Sequence, residues 1–164
     1  MFRDEAVIVV AAGKGGDGLV SFRREKYVPR GGPDGGDGGR GGSVILRAAS
    51  DMHSLLEISR RRRYTAGKGQ PGGTRNKSGL SADDLYLTVV FDAVKGNVLR
   101  DLALEGETLE VARGGRGGLG NQHFATSVHQ VPMHATKGAE GEVRELRLEL
   151  KLFAEVGLVG LPNA

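Results

Sequence analysis

Residues Gly31 to Gly42 read Gly-Gly-Pro-Asp-Gly-Gly-Asp-Gly-Gly-Arg-Gly-Gly. The glycines keep a register. Gly32, Gly35, Gly38 and Gly41 form one series spaced by three, and Gly36, Gly39 and Gly42 form a second. Three residues make one turn of a left-handed polyproline II helix, which has no internal hydrogen bonds and rises about 3.1 Å per residue. Two of the three edges of such a helix would carry no side chain here. Neighbouring backbones can then close in along both, as glycine allows at the axis of collagen. The third edge is predicted to show Asp34, Asp37 and Arg40 in a row.

The same grammar recurs. Arg113-Gly114-Gly115-Arg116-Gly117-Gly118-Leu119-Gly120 repeats it, and Gly13-Lys14-Gly15-Gly16-Asp17-Gly18 is a shorter copy. Gly67 to Gly73 is weaker, and Gly138 and Gly141 are a trace. Segments that cannot pack singly suit one another as a bundle, with backbone amides and Cα–H···O contacts replacing a side-chain core. Disordered glycine-rich loops are the competing reading and fit the composition. The triplet register and the strand-like sequence between the segments favour the bundle.

Glycine is 28 of 164 residues, about one in six, against a usual share of about 7%. With five Phe, three Tyr and no Trp, the core must be modest and aliphatic. The length fits one domain, or one domain with an appendage. The absence of cysteine excludes a disulfide framework or a thiolate site and suits a reducing compartment. No run of about 18 apolar residues and no signal-peptide pattern is present, so a cytoplasmic protein without a membrane partner is expected. Net charge is only +3, but residues 20–75 hold 12 Lys and Arg against 5 Asp and Glu, whereas residues 76–112 hold 3 against 7. That asymmetry suggests a polyanionic partner, with a solvated basic face as the alternative.

Ala6 to Ala11 is β-branched and short, and reads as a strand. The G-x-G-x-x-G match at Gly13, Gly15 and Gly18 lacks the following helix that a dinucleotide site needs. Phe22 and Tyr27 are interleaved with Arg23, Arg24, Lys26 and Arg30, a mixture that suits stacked bases and phosphates. The two aromatics could equally face a core. Ser43–Ala48 is a strand candidate, and Leu55, Leu56 and Ile58 suggest a single helical turn or bend. Arg60-Arg61-Arg62-Arg63-Tyr64 is the densest positive run. In a strand its side chains would alternate between faces, so at least two arginines would need anions, within the protein or on a partner. Lys68, Arg75 and Lys77 extend the charge through a loop.

Asp84–Phe91, Val98–Leu104 and Thr108–Ala112 read as strands, with a turn at Lys95-Gly96-Asn97. His123, His129 and His134 match no metal spacing, so no metal site is expected. Val143–Leu152 alternates cleanly, with Leu146, Leu148, Leu150 and Leu152 on one face. The expected fold is all-β: a small barrel or sandwich of six to eight strands, with the glycine bundle extending from one end. Gly160-Leu161-Pro162-Asn163-Ala164 would open a G-x-x-x-x-G-K-[ST] phosphate loop that lacks its second glycine, lysine and hydroxyl, so this chain is expected neither to bind nor to hydrolyse GTP.

The runs Ser21–Pro29, Gly31–Gly42, Ala112–Asn121 and Leu146–Asn163 resemble the Obg family of GTPases, and the likeness spans nearly the whole chain. One departure lies around Thr88-Val89-Val90-Phe91, where the family usually carries a few more residues, including a Pro-x-Gly-Thr turn. The resemblance implies an Obg domain over 1–155, with 156–164 as the first strand and incomplete phosphate loop of a Ras-like GTPase domain. Gly160, Pro162, Asn163 and Ala164 are then the GTP-binding remnant. It also implies a cytoplasmic, monomeric module that binds the large ribosomal subunit and its rRNA in late assembly, its loops reaching the peptidyl-transferase region. GTP and Mg, with GDP and (p)ppGpp, act on the missing domain, and this chain holds no cofactor or catalytic residue. The candidate RNA-binding residues are Arg23, Arg24, Lys26, Tyr27, Arg30, Arg60, Arg61, Arg62, Arg63, Lys68, Arg75 and Lys77. An appendage that regulates the parent's GTP hydrolysis through a protein partner is the alternative, and a collagen-like assembly element is a third reading.

Overall fold

The computed structural model describes residues 5–24, 31–49, 55–90 and 106–149. Its elements are the strands β1 (Glu5–Ala11), β2 (Val44–Ala49), β3 (Arg63–Thr65), β4 (Leu85–Val90), β5 (Thr108–Ala112) and β6 (Val143–Glu149). One helical turn, α1 (Leu56–Ser59), and a 3-10 turn at Asn121–Phe124 complete it. The expected all-β class is correct. Val98–Leu104, the Lys95–Asn97 turn, Lys26, Tyr27, Arg30 and Gly160–Ala164 lie outside the described residues.

The strands form two three-stranded sheets, ordered β3-β1-β6 and β4-β2-β5. Alternation decides which face is buried. Ala6, Ile8 and Val10 of β1 turn inward opposite Leu148, Leu146 and Arg144 of antiparallel β6. The outward residues of the same pair carry Arg147, which contacts Glu5 at 3.0 Å. In the second sheet Val44, Leu46 and Ala48 turn inward beside Leu87 and Val89 of β4. The two inner faces share one aliphatic core, closed by Leu55 and Ile58 beside and on α1. Two pairings, β1 with β3 and β2 with β4, are parallel.

Each of the six strands continues into one extended segment of the glycine bundle, and hydrogen bonds between segments recur every third residue. Gly13, Gly16 and Leu19 donate N–H to Gly42, Gly39 and Gly36. Ala12, Gly15 and Gly18 donate to Glu142, Ala139 and Thr136. Gly36, Gly39 and Gly42 donate to Gly73, Gln70 and Gly67. Three segments close a cycle: Gly16 donates to Gly39, Gly38 to Gly118, and Gly118 to Gly16, each at 2.8 Å. Three residues along, Gly13, Gly41 and Gly115 repeat it with Gly42 as acceptor.

The two glycine series have different neighbours. A Cβ on Gly35, Gly38 or Gly41 would strike the carbonyls of Leu19, Gly16 or Gly13; one on Gly36, Gly39 or Gly42 would strike those of Lys77, Leu80 or Asp83. Among the described glycines only Gly106 has a positive φ, so the bundle glycines serve close approach and not left-handed backbone. The run 78–84, with one glycine, is a full member of the bundle beyond the segments expected from sequence, and the run 135–142, expected only as a trace at Gly138 and Gly141, is a full member too. The third edge is not a simple display. Arg40 is exposed and pairs with Asp84 at 2.7 Å, but Asp34 turns inward and is only 9% exposed.

Arg60 to Arg63 do not form one strand. Arg60 caps α1, only Arg63 enters β3, and all four side chains are exposed. None is therefore buried in need of an internal anion, because the chain turns out of the helix before the strand begins.

Candidate nucleic-acid interface at the bundle tips

Three hairpins end at the same pole of the bundle, remote from the sandwich. The first runs through Ser21–Arg24 and Gly31–Asp34, held by the Phe22–Pro33 bridge and the Arg23 N–H donating to Gly32 at 3.1 Å. Phe22 is half-buried there and is not part of the sandwich core. The second turns at Thr74–Lys77, where the Gly73 N–H donates to the Lys77 carbonyl at 2.7 Å. Arg75 and Asn76 both have φ of 57°, a region that costs a residue with a Cβ about 1–3 kcal/mol. The third covers 121–135 and begins with the 3-10 turn.

Two buried polar side chains lock these tips together. Asp34 accepts the Asn76 N–H on its carbonyl (2.7 Å) and the Arg75 N–H on Oδ2 (3.2 Å), tying the first hairpin to the strained second turn. Asn121 is fully buried. Its Oδ1 accepts from the Gly35 N–H at 2.9 Å, while Nδ2 donates to Ser21 (3.0 Å) and Pro132 (3.2 Å). This side chain continues the cyclic pattern one layer beyond Gly118, where the chain leaves the bundle and no backbone carbonyl can serve. Asp37 adds a further clasp, accepting the Gly120 N–H on Oδ1 at 2.7 Å and contacting His123 Nε2 through Oδ2 at 2.9 Å.

Between the first two tips lies a hollow of about 300 Å³ bounded by Arg23, Arg24, Asp34, Arg75 and Asn76. Three arginines share this lining with the buried Asp34, whose Oδ1 has no hydrogen-bond partner among the described residues. The third tip presents Val128, Val131 and Met133 to solvent. The pole thus combines cationic and apolar surface on a fixed frame.

Of the candidate residues, Arg23, Arg24, Arg75 and Lys77 meet at this pole, all exposed. Lys68 is exposed on the bundle's flank. Arg60–Arg63 stand elsewhere: Arg63 pairs with Val9 in the sandwich, and ten residues of extended chain, about 30 Å, separate it from Gly73. The basic run and the basic tips are therefore separate surfaces. Asn121, Asp37 and His123 were not among the candidates. Asn121 had a sequence signal, since it falls where the register Gly115, Gly118 would place its next glycine.

Residues 3–152 match the family model described as GTP1/OBG. The chain is 56% identical over 168 residues to "GTPase Obg" of Synechococcus elongatus, covering 99% of this chain and 49% of that protein. It is 57% identical over 169 residues to "GTPase Obg" of Moorella thermoacetica, covering 100% of this chain and 40% of that one, and 53% identical to the Psychrobacter protein of the same name, covering 99% and 42%. The chain thus spans half or less of the length of these curated relatives. A fold of two small sheets prolonged by a glycine bundle, matched along almost its entire length, places this chain in the GTP1/OBG family.

Proposed function

We propose that the chain is the ribosome-facing module of an Obg-type GTPase, binding rRNA of the large subunit in late assembly through the three tips. The observation that supports this reading most directly is the locking of the tips by Asp34 and Asn121. Ordering loops on binding costs about 1–2 kcal/mol per residue, and tips already fixed avoid that loss. Arg23, Arg24, Arg75 and Lys77 supply phosphate contacts, and the apolar third tip meets bases that a folded RNA leaves unstacked. The triplet hydrogen bonding suits the polyproline II geometry expected of the segments. Residues 156–164 open the Ras-like domain, and GTP hydrolysis with Mg belongs to that domain of the parent. The module itself is a cytoplasmic monomer. Among the described residues no helix is long and apolar enough to cross a membrane.

The test is co-sedimentation with purified large subunits across a salt series. Reversing Arg24, Arg75 and Lys77 to Glu should weaken binding at least tenfold and reduce the salt slope by about 3. Binding indifferent to salt and to these reversals would refute the reading.

A further inference from the structure

The basic run that stands apart from the tips borders a hollow of its own. It measures about 400 Å³ and lies beside α1, bounded by Glu57, Arg60, Arg61, Tyr64, Tyr86 and Thr88 among others. That volume lies within the range of sites that hold small ligands. Tyr86, on the outer face of β4, is 50% exposed, and the Arg47 guanidinium sits 4.9 Å from its ring centroid. A tyrosine backed by an arginine is a platform on which a base can stack. Tyr64 is fixed by its hydroxyl, which donates to the Ile58 carbonyl at 3.0 Å. Arg60 and Arg61 are exposed, and neither forms an ion pair among the described residues. Glu57, also exposed, offers an acceptor at the rim.

A bare phosphate would make no use of the tyrosines, and an apolar ligand none of the arginines. A nucleotide uses both. We propose that this hollow binds a nucleotide, its base stacked on Tyr86, its exocyclic amine bonded to Glu57 and its phosphate held by Arg60 and Arg61. The nucleotide is either one unit of a single-stranded RNA or a free mononucleotide. The site goes beyond the tip reading and does not rest on it, being about 30 Å of chain away.

Fluorescence anisotropy of the 164-residue chain with a labelled eight-residue oligocytidylate tests it, with oligouridylate and free CMP as comparators. Tyr86→Ala should weaken oligocytidylate binding about tenfold, because stacking of one base is worth about that factor, and the double reversal Arg60→Glu/Arg61→Glu should weaken it at least as much by removing the phosphate contacts. Tyr86→Phe should restore it, and unchanged melting temperatures should show that the fold is intact. In an Arg24→Glu/Arg75→Glu background, which removes RNA uptake by the tips, Tyr86→Ala should still weaken binding about tenfold, so failure of this site and failure of the tip reading are separable. Displacement by equimolar CMP assigns the site to a free nucleotide, and failure of CMP to compete assigns it to an RNA strand. Oligouridylate, which lacks the amine, should bind more weakly, and equal binding would overturn the Glu57 contact. No binding by the unaltered chain, or binding untouched in both hollow variants, overturns the site.

Discussion

Replacing Gly38 by alanine puts a methyl group against the carbonyl of Gly16, with the Asp17 nitrogen 3.0 Å away. Both neighbours are backbone, so no side chain can swing aside, and the two segments must part. The cycle of bonds from Gly16 to Gly39, Gly38 to Gly118 and Gly118 to Gly16 runs through the same point. Stretching all three leaves buried donors short of partners, at about 1–3 kcal/mol each, or about 3–9 kcal/mol together. Against a typical total stability of about 5–15 kcal/mol, that is a large share. At about 2–4 °C per kcal/mol for a chain of this length, the melting temperature should fall by about 6–36 °C. Gly32→Ala is the control. Nothing lies within 4 Å of its added methyl, and reduced freedom of the unfolded chain should raise stability by about 0.4–1 kcal/mol. Thermal melts followed by circular dichroism, with amide exchange read at Gly16 and Gly118, give the answer. If Gly38→Ala melted within about 2 °C of the parent, close approach of backbones would not be what holds the bundle together.

Asn121→Ala should cost about 2–4 kcal/mol, because the Gly35 N–H and the Ser21 and Pro132 carbonyls lose a buried partner together; amide exchange should rise across 126–135, and a fall in stability without that rise would count against the clasp. Asp34→Ala should loosen the strained Arg75–Asn76 turn, seen as faster exchange at the Arg75 amide, whose side-chain acceptor is lost, with the sandwich strands unaffected. Glu140, through a hydrogen bond first and its charge second, raises the Lys14 ammonium above its ordinary 10.5. Whatever stability the pair contributes is thus complete below 10.5 and lost as pH climbs through the higher folded value, so Lys14→Met should lower a stability–pH curve by a constant amount across pH 5–9 and flatten its alkaline end, which denaturant titrations at stepped pH would check.

Local pattern was enough for several elements. Thr108–Ala112 was read as a strand with both ends correct, and Leu146 and Leu148 turn inward as the alternation from Val143 required. The period of three in Gly31–Gly42 was likewise visible, because a bare edge repeats with the turn of the backbone. Other features depended on neighbours that no local pattern names. The run 78–84 joins the bundle with a single glycine because Gly36, Gly39 and Gly42 already supply the bare edge against it. The parallel pairing of β1 with β3 and of β2 with β4 follows from how the segments stack, since short β-branched runs carry no sign of direction. Asp34 was expected beside Asp37 and Arg40 on an open edge and instead turns in to hold a turn forty residues away. The basic residues looked like one patch because charge along a chain adds up without regard to distance. Tertiary structure divides them, since an extended segment carries the tips about 30 Å from the sandwich that keeps Arg60–Arg63.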